Sequence, residues 1–481
     1  MIAGRLVCPA LRWRPETGFC HEAGAIGAAL DLGVGGFIIF GVGGARADEV
    51  AELTGRIRAR AGRPLLLASD MERGAGQQAV GLTPVPPPAA LASLDDDSVL
   101  AWAGATTARD ARRVGLNAVF APDTDLDIEP ANPIVQTRSF GADPAVVSHA
   151  VTIWITACQA EGVLASAKHY PGHGRTALDS HNVLPAVSLP LGELEATDLR
   201  PFHAAVQAGV AMVMTAHVGF PAWDPSGTPA TLSPVMLGYL RKQLGFDGLI
   251  VTDALIMEGA RAGRTPGDAA VAALAAGCDL LLYPGDLAEV VGAITRAVES
   301  GALAGAALTA SVARLDSTLA RVEAPRTPAP SRSATVDADR EADAVADRLL
   351  ARGLVRGPAP ALAGLDLVVV DDDIGGWYAP GPSDVVRRTL ARQKLLERIG
   401  GSRIVLAFAE PRAAKGRAGF GPESLARLAA LAPGAALVVV FGHPRLVAEI
   451  PAGPPVLLAW HRQPLMQRAV ARWLHRAMRA P

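Results

Sequence analysis

The sequence predicts an α/β fold, a (β/α)8 TIM-like barrel followed by a smaller doubly wound α/β domain. Three observations predict it. Eight short apolar runs alternate with helix-like stretches between residues 5 and 284, five of these runs lead into a polar residue, and four more apolar runs follow a Pro- and Ser-rich segment. Uninterrupted apolar runs are typical of parallel strands that helices cover on both faces.

The eight apolar runs predict the barrel strands in chain order. They are RLVC near residue 5, GFIIF at 36–40, PLLLAS at 64–69, NAVFAP at 117–122, GVLASAKH at 162–169, GVAMVMTAH at 209–217, DGLIVTD at 247–253 and CDLLLYP at 278–284. The segments between them, such as residues 143–162, have the length and composition of covering helices. Eight such units in succession indicate a closed barrel.

Polar residues stand at the ends of these runs. They are Asp70, Asp125, Lys168, His169, His217 and Asp253. Because the carboxyl ends of barrel strands meet at one mouth, we expect these side chains to surround that mouth, where barrel enzymes carry their chemistry.

A change of composition separates the barrel from the rest of the chain. Residues 325–341 are rich in Pro, Ser and Thr and have no strand or helix periodicity, which predicts a linker between a barrel at 1–324 and a second domain at 342–481. The runs LDLVVVDDD, RIVLAFAEP, AALVVVFGHP and PVLLAW predict the strands of that doubly wound domain. Consecutive strand residues point in different directions, so we expect Asp371 to Asp373 to be a solvated strand end and not a metal site.

Charge and composition exclude several partners. The 45 basic and 47 acidic residues are interspersed and leave a net charge of -2. This charge pattern does not indicate a basic surface for binding nucleic acid or an anionic membrane. No run is long enough to cross a bilayer, and Arg5, Arg12 and Arg14 interrupt the only candidate leader segment. We therefore expect a cytoplasmic protein that acts on a small neutral molecule.

The four cysteines, Cys8, Cys20, Cys158 and Cys278, have no CxxC spacing. Neither a zinc knuckle nor a disulfide framework is indicated, and we expect core thiols.

The segment KHYPGHGRTALDSHNVLP, residues 168–185, is the densest cluster of chemical groups. His169 and His173 have the i, i+4 spacing of a zinc-binding helix, but Pro171 and the glycines on either side of His173 would break that helix. The sequence therefore predicts no metal and no other cofactor.

Asp179 and His181 offer a different chemistry in the same segment. A carboxylate two residues away can accept the imidazole proton, fix the tautomer and raise the basicity of the ring. Ser180 lies between them but lacks the GxSxG elbow of a serine nucleophile. Asp253, at the end of an apolar strand, is the better nucleophile candidate, and it could also cap a helix beginning near Leu255.

These motifs together resemble glycoside hydrolase family 3, and most closely its β-N-acetylglucosaminidase branch in the two-domain form. The resemblance is carried by KHYPGHG, DSH at 179–181, VTDALIMEGA at 251–260, GVGGFIIFG at 33–41, SDMERGAG at 69–76, the segment 117–141, TAHVGFP at 215–221 and AGCDLLL at 276–282. AFAEPRAAKGRAGF and VVVFGHP extend it into the second domain.

The resemblance implies a retaining double-displacement mechanism. Asp253 is then the nucleophile and His181, supported by Asp179, is the acid/base that serves both steps. The ligands of the terminal sugar are implied to be Asp70, Arg138, Lys168 and His169. The implied substrate is a terminal β-GlcNAc unit on a muropeptide-like fragment, as in peptidoglycan recycling, or on a chitooligosaccharide.

The chain departs from the family pattern in the segment after Asp70. Members commonly have two arginines after a DQEGG motif, whereas this chain has Gln78 at the place of the more distal arginine and Arg73 five residues earlier. Ala254 follows the nucleophile position, where some members have an acid.

Three alternatives stay open. A phosphorylase is one, because an imidazole repels phosphate less than a carboxylate does. The others are a β-glucosidase-like specificity, which the Asp-His pair disfavours, and a non-catalytic sugar-binding homologue, which the presence of Asp253, Asp179 and His181 disfavours.

Overall fold

The structure, a computed structural model, describes residues 2–42, 44–261, 263–322, 332–373, 380–393, 395, 401–412 and 415–479. The helices of these ranges are α1 Ile2–Arg5, α2 Ala23–Asp31, α3 Ala47–Ala61, α4 Pro88–Ala92, α5 Asp97–Arg113, α6 Pro144–Ala160, α7 Leu191–Ala196, α8 Leu199–Gln207, α9 Pro234–Lys242, α10 Glu258–Arg261, α11 Pro266–Ala276, α12 Leu287–Glu299, α13 Gly305–Ala320, α14 Arg332–Ala351, α15 Val385–Arg392, α16 Pro422–Leu431 and α17 Pro464–Ala477. None of the helices in the described ranges has the length and apolar character that crossing a bilayer requires.

The strands of the same ranges belong to a barrel and a second sheet. The barrel strands are β1 Val7–Cys8, β2 Ala10–Arg12, β3 Gly36–Phe40, β4 Leu66–Ser69, β5 Ala118–Val119, β6 Leu164–Tyr170, β7 Met212–Thr215, β8 Leu249–Thr252 and β9 Leu281–Leu282. The strands of the second sheet are β10 Leu354–Arg356, β11 Leu365–Asp371, β12 Ser402–Ala409, β13 Leu437–Gly442 and β14 Val456–Leu458.

The barrel closes through parallel pairing all the way round. Strands β2 to β8 pair in chain order, β9 pairs with β1, and a parallel bridge between Val251 and Leu280 joins β8 to the β9 segment. Strands β1 and β2 are the two parts of one barrel strand on either side of Pro9. The eight predicted strands and the predicted barrel are therefore confirmed.

The barrel strands are apolar on both faces because each face meets a different apolar layer. In β8, Leu249 and Val251 belong to the cluster that fills the barrel, and Ile250 belongs to the cluster shared with the outer helices. Leu315 and Leu319 of α13 join the inner cluster. This alternation, with a period of two, is what a strand buried on both faces requires.

The second sheet contains the four predicted strands and one strand that the sequence analysis missed. Strands β11 to β14 are parallel and follow one another in chain order, and the short β10 pairs antiparallel with β14. Alternate residues of β12 enter different apolar clusters: Ile404 and Leu406 join one, while Val405 and Ala407 join the other. Both faces of this sheet are therefore covered.

The linker prediction is partly wrong. Helix α14 begins at Arg332, so the second half of the predicted linker 325–341 is helical, while residues 325–331 lie outside the described residues. Helix α14 packs against α17, and its residues Ala342, Ala346 and Leu349 belong to the large apolar cluster. The domain boundaries stay a prediction.

Three of the four cysteines are core thiols, as expected. Cys8, Cys158 and Cys278 are buried and free, whereas Cys20 is exposed. The expectation of a core thiol is therefore wrong for Cys20, which begins a short surface turn, Cys20–Glu22, with no buried residue.

Candidate active site

A cavity of ≈ 690 Å³ opens at the carboxyl ends of the barrel strands. It is lined by six of the seven residues that the sequence analysis selected: Asp70, Arg138, Lys168, His169, His181 and Asp253. The seventh, Asp179, is buried and bonded to His181. The structure therefore brings all of the predicted site residues together at the predicted mouth.

Asp253 directly follows β8 and carries an ionised carboxylate. Burial raises the pKa of this group, but the imidazoles of His169, His217 and His181 and the N–H of Ala254 outweigh that effect and lower the pKa to about 2. The Ala254 N–H lies 2.7 Å from Oδ1. The helix after β8, α10, begins only at Glu258, so the alternative role of Asp253 as a helix cap near Leu255 is wrong.

His181 is bound to Asp179 through the ring and through the backbone. Its Nδ1 lies 2.7 Å from Oδ1 of Asp179, and its backbone N–H donates to the same oxygen at 2.9 Å. An imidazole that donates Nδ1–H to a carboxylate keeps Nε2 as its second proton-exchanging atom. The predicted Asp-His pair is thus formed, within the cavity that Asp253 lines.

His173 and Ser180 support the loop that carries this pair. Nε2 of His173 lies 2.8 Å from Oγ of Ser180, Nδ1 lies 3.0 Å from Oγ1 of Thr176, and the backbone N–H donates to Asp125 at 2.6 Å. Burial, and then the charge of His169, lower the pKa of His173 to about 3, so its ring is neutral at pH 7. These side chains hold the turn together.

Glu72, which the sequence analysis did not select, lies at the centre of the charged part of the site. Nε and Nη2 of Arg138 donate to its two oxygens, each at 2.8 Å, and Nζ of Lys168 lies 2.6 Å from Oε1 and 3.0 Å from Asp70. Burial raises the pKa of Glu72, but Arg138 and Lys168 hold it well below its usual range. Its position in the turn that follows β4, two residues after Asp70, was the signal that could have found it, because polar residues near the carboxyl end of a barrel strand lie at the mouth.

His169 is oriented by the buried Asp125. Its Nδ1 lies 2.7 Å from Oδ2 of Asp125, and burial lowers the pKa of the ring to about 4, so it is neutral at pH 7. Asp123, Asp125 and His169 bring possible metal-ligand atoms within 4.8 Å of one another. Asp125 and His169 already satisfy each other, however, and Arg138 lies 3.7 Å from Asp123. Hydrogen bonding thus accounts for Asp125 and His169, whereas Oδ2 of the buried Asp123 has no hydrogen-bond partner among the described residues.

Gln78 and Arg73 occupy the segment in which the chain departs from the family pattern. Gln78 is buried, donates to the carbonyl oxygen of Asp70 at 2.7 Å and accepts the N–H of Gly41 at 3.0 Å, so it braces the backbone of Asp70. Arg73 lines the cavity and contacts His461, which follows β14 of the second sheet.

The expectation of a solvated strand end at Asp371 to Asp373 is wrong. Asp372 and Asp373 are buried, and only Asp371 is partly exposed. Arg462 lies 2.9 Å from Asp371 and 2.7 Å from Asp373, and Lys415 lies 3.3 Å from Asp372. The acids are buried because cations from later segments of the chain neutralise them.

Fold and site together define a class of protein. An ionised carboxylate and a carboxylate-bound imidazole share one cavity at the carboxyl mouth of a (β/α)8 barrel, where barrel proteins place acid/base and nucleophilic groups. The class is that of the barrel enzymes.

Comparison with known proteins assigns the family. The model described as the glycosyl hydrolase family 3 N terminal domain matches residues 26–318, more than half of the chain. The chain therefore belongs to glycosyl hydrolase family 3, which confirms the resemblance.

Three relatives illustrate the similarity. A β-hexosaminidase of Chromobacterium violaceum is 38% identical over 52% of this chain and 71% of its own length. A β-N-acetylglucosaminidase/β-glucosidase of Cellulomonas fimi is 33% identical over 56% of this chain, which spans about half (49%) of that relative. A solved glycoside hydrolase family 3 β-N-acetylglucosaminidase from Paenibacillus sp. str. FPU-7 matches with a TM-score of 0.82 and 26% identity, over 99% of this chain and 96% of that one.

Proposed function

We propose that the protein is a retaining exo-β-N-acetylglucosaminidase that removes terminal β-GlcNAc through a covalent intermediate on Asp253. The observation that carries this proposal is the hydrogen bond between Asp179 and His181 inside the cavity that Asp253 lines. It supplies an acid/base group next to an ionised nucleophile.

In the first step, a carboxylate oxygen of Asp253 forms a bond to the anomeric carbon. The bond from that carbon to the leaving oxygen breaks, and protonated His181 gives its Nε2 proton to that oxygen. Asp179 stays ionised and stabilises the imidazolium that precedes the transfer.

In the second step, neutral His181 takes a proton from a water molecule. The water oxygen bonds to the anomeric carbon, the ester bond to Asp253 breaks, and the carboxylate is regenerated. Two displacements at the same carbon retain the β configuration of the released sugar.

Asp70, Lys168, Arg138 and His169 are proposed to hold the hydroxyl groups of the terminal sugar. Lys168 remains charged because, although burial lowers its pKa, the carboxylates of Asp70 and Glu72 raise it further. A buried group of fixed donors and acceptors of this kind discriminates strongly between sugars that can and cannot satisfy it.

Glu410 is the rival for the role of general acid, because it also lines the cavity. Burial raises its pKa, but His461, Arg73 and Arg462 lower the pKa to about 2. A carboxyl group that is ionised at pH 7 has no proton to give, so His181 is the better acid.

The preference for GlcNAc rests on the β-hexosaminidase and β-N-acetylglucosaminidase relatives. We extend the proposal to muropeptide-like fragments or chitooligosaccharides as natural substrates and to a cytoplasmic location, in keeping with a role in cell-wall recycling.

The test is turnover of p-nitrophenyl β-GlcNAc beside p-nitrophenyl β-glucoside, by the wild type and by His181→Ala. We expect a clear preference for the GlcNAc substrate and a large loss of kcat in the variant. A strong preference for the glucoside, or indifference to the substitution, would contradict the proposal. The same reaction in phosphate buffer should release free GlcNAc, and formation of the sugar 1-phosphate would instead assign a phosphorylase.

A further inference from the structure

The segment that follows Asp253 also contacts the acid/base loop, residues 171–185, which carries His181. Residues 254–257 form a turn after β8, and helix α10 begins at Glu258. The backbone N–H of Glu258 donates to the carbonyl oxygen of His181 at 3.3 Å, and the N–H of Gly259 donates to the carbonyl oxygen of Ser180 at 3.1 Å. The first N–H groups of a helix have no partner within the helix. The acid/base loop therefore supplies the acceptors that the start of α10 needs.

Gly259 lies where α10 approaches this loop. It is buried, and a Cβ placed on it would lie 2.9 Å from the carbonyl oxygen of Ser180, 3.0 Å from that of Val183 and 3.1 Å from Cβ of His217. These separations are shorter than ordinary van der Waals contacts, and two of the three atoms belong to the backbone, which side-chain rotation cannot move. A side chain at position 259 would therefore push α10 and the acid/base loop apart.

The other end of the same segment is fixed beside the proposed nucleophile. The N–H of Ala254 donates to Oδ1 of Asp253 at 2.7 Å, and the carbonyl oxygen of Ala254 lies 3.1 Å from Nε2 of the buried His217. Because that oxygen can only accept, His217 donates its Nε2–H to it. Residues 254–259 are thus attached to Asp253 at one end and to the backbone of His181 at the other.

We propose that Gly259 is a positioning residue that sets the place of His181 relative to Asp253, because only a residue without a side chain lets α10 dock on the acid/base loop. This inference rests on the proposed glycosidase function. A double displacement needs its acid/base group and its nucleophile held at fixed positions about the anomeric carbon. Gly259 lies outside the lining of the cavity, so it acts through the loop and not on the sugar.

The test measures how kcat/KM depends on the leaving group. Phenyl β-GlcNAc needs a proton on its leaving oxygen, whereas 2,4-dinitrophenyl β-GlcNAc does not. In Gly259→Ala, kcat/KM for the phenyl glycoside should fall roughly 10- to 100-fold, a part of what a well-placed general acid contributes, and kcat/KM for the dinitrophenyl glycoside should stay close to that of wild type. A general loss of structure would lower both values equally. The inference is overturned if the ratio of the two values stays as in wild type.

Two further variants serve as controls. Gly55→Ala makes the same chemical change at an exposed position of α3 where an added Cβ would enter open space, and it should leave the ratio unaltered. The double variant Gly259→Ala/His181→Ala should be no slower on the phenyl glycoside than His181→Ala alone, because a residue that acts through His181 has no effect once the imidazole is absent. An additional loss equal to that of Gly259→Ala in the wild-type background would overturn the inference.

A second measurement uses the unaltered protein, so it decides the matter even if Gly259→Ala does not fold. In hydrogen exchange followed by mass spectrometry, the amides of Glu258 and Gly259 should exchange at rates similar to those of the acid/base loop, because separation of the two breaks the hydrogen bonds of both amides. Free exchange at Gly259 while the loop stays protected would overturn the inference. Failure of wild type to turn over either glycoside would instead count against the proposed function itself, so the two failures can be told apart.

Discussion

His181 and Asp179 are joined twice through a single oxygen atom. The ring Nδ1 and the backbone N–H of His181 both lie within 2.9 Å of Oδ1 of Asp179. Asp179 therefore sets the position of the loop and the tautomer of the ring together, and its burial keeps that carboxylate out of bulk water.

This relationship predicts the effect of Asp179→Asn. The amide has the shape of the carboxylate but no charge to stabilise the imidazolium, so we expect kcat to fall about 10²- to 10⁴-fold, with a smaller change in KM. Steady-state kinetics with p-nitrophenyl β-GlcNAc checks this, with the melting temperature as a control for folding. A kcat close to that of wild type would show that His181 does not depend on Asp179.

Ser180→Ala should have a much smaller effect on activity. Ser180 is buried, and its Oγ lies 2.8 Å from Nε2 of His173. Loss of this one neutral hydrogen bond should cost about 1 kcal/mol of loop stability and leave kcat within about tenfold of wild type. A loss as large as that of His181→Ala would revive Ser180 as a candidate nucleophile.

Glu72→Gln should weaken both folding and substrate binding. It leaves the buried Lys168 and the partly exposed Arg138 without their shared carboxylate, which should lower the free energy of unfolding by about 3 kcal/mol and raise KM. Urea denaturation and steady-state kinetics measure the two effects. The matched control is Glu52→Gln, because Glu52 is exposed and lies 3.8 Å from the exposed Arg56, a contact worth less than about 1 kcal/mol. Equal losses of stability in the two variants would show that the Glu72 carboxylate does not stabilise the fold through Arg138 and Lys168.

Asp127 joins the barrel to the second sheet and makes that contact depend on pH. Its carboxylate lies 2.8 Å from Nε2 of His443 and 2.8 Å from Nη1 of Arg445. Burial raises the pKa of Asp127, but His443 and Arg445 outweigh it, and the pKa in the folded protein is lowered. A lowered pKa means that the stabilisation is present above the unfolded value of about 3.9 and is lost as the pH falls through the folded value.

Asp127→Asn should therefore destabilise the protein by about 1 to 3 kcal/mol at pH 7 and by less near pH 3, which is below the unfolded value of about 3.9, because there the unfolded chain binds the proton more readily than the folded protein does. Urea denaturation of both proteins at the two pH values measures the difference. The same loss at both values would show that the charge of Asp127 does not stabilise the contact.

The barrel and the pairing of Asp179 with His181 were predictable because their signals are local. Polar residues at the ends of five apolar runs mark the mouth, and Asp179 and His181 are two residues apart. Glu410 and His461 were not predictable in this way, because only the folded chain brings them to a cavity built by residues hundreds of positions earlier. The burial of Asp372 and Asp373 has the same origin, since Lys415 and Arg462, which neutralise them, come about 40 and about 90 residues later in the chain.

The most direct test of the account is to find the residue that becomes attached to the sugar. His181→Ala is mixed with 2,4-dinitrophenyl β-GlcNAc, whose leaving group departs without protonation, so that the intermediate forms but its hydrolysis lacks a base. Peptide mass spectrometry should then find one N-acetylglucosaminyl group on Asp253, and Asp253→Ala should be inactive and unlabelled. A label on any other residue, or substantial turnover by Asp253→Ala, would contradict the account.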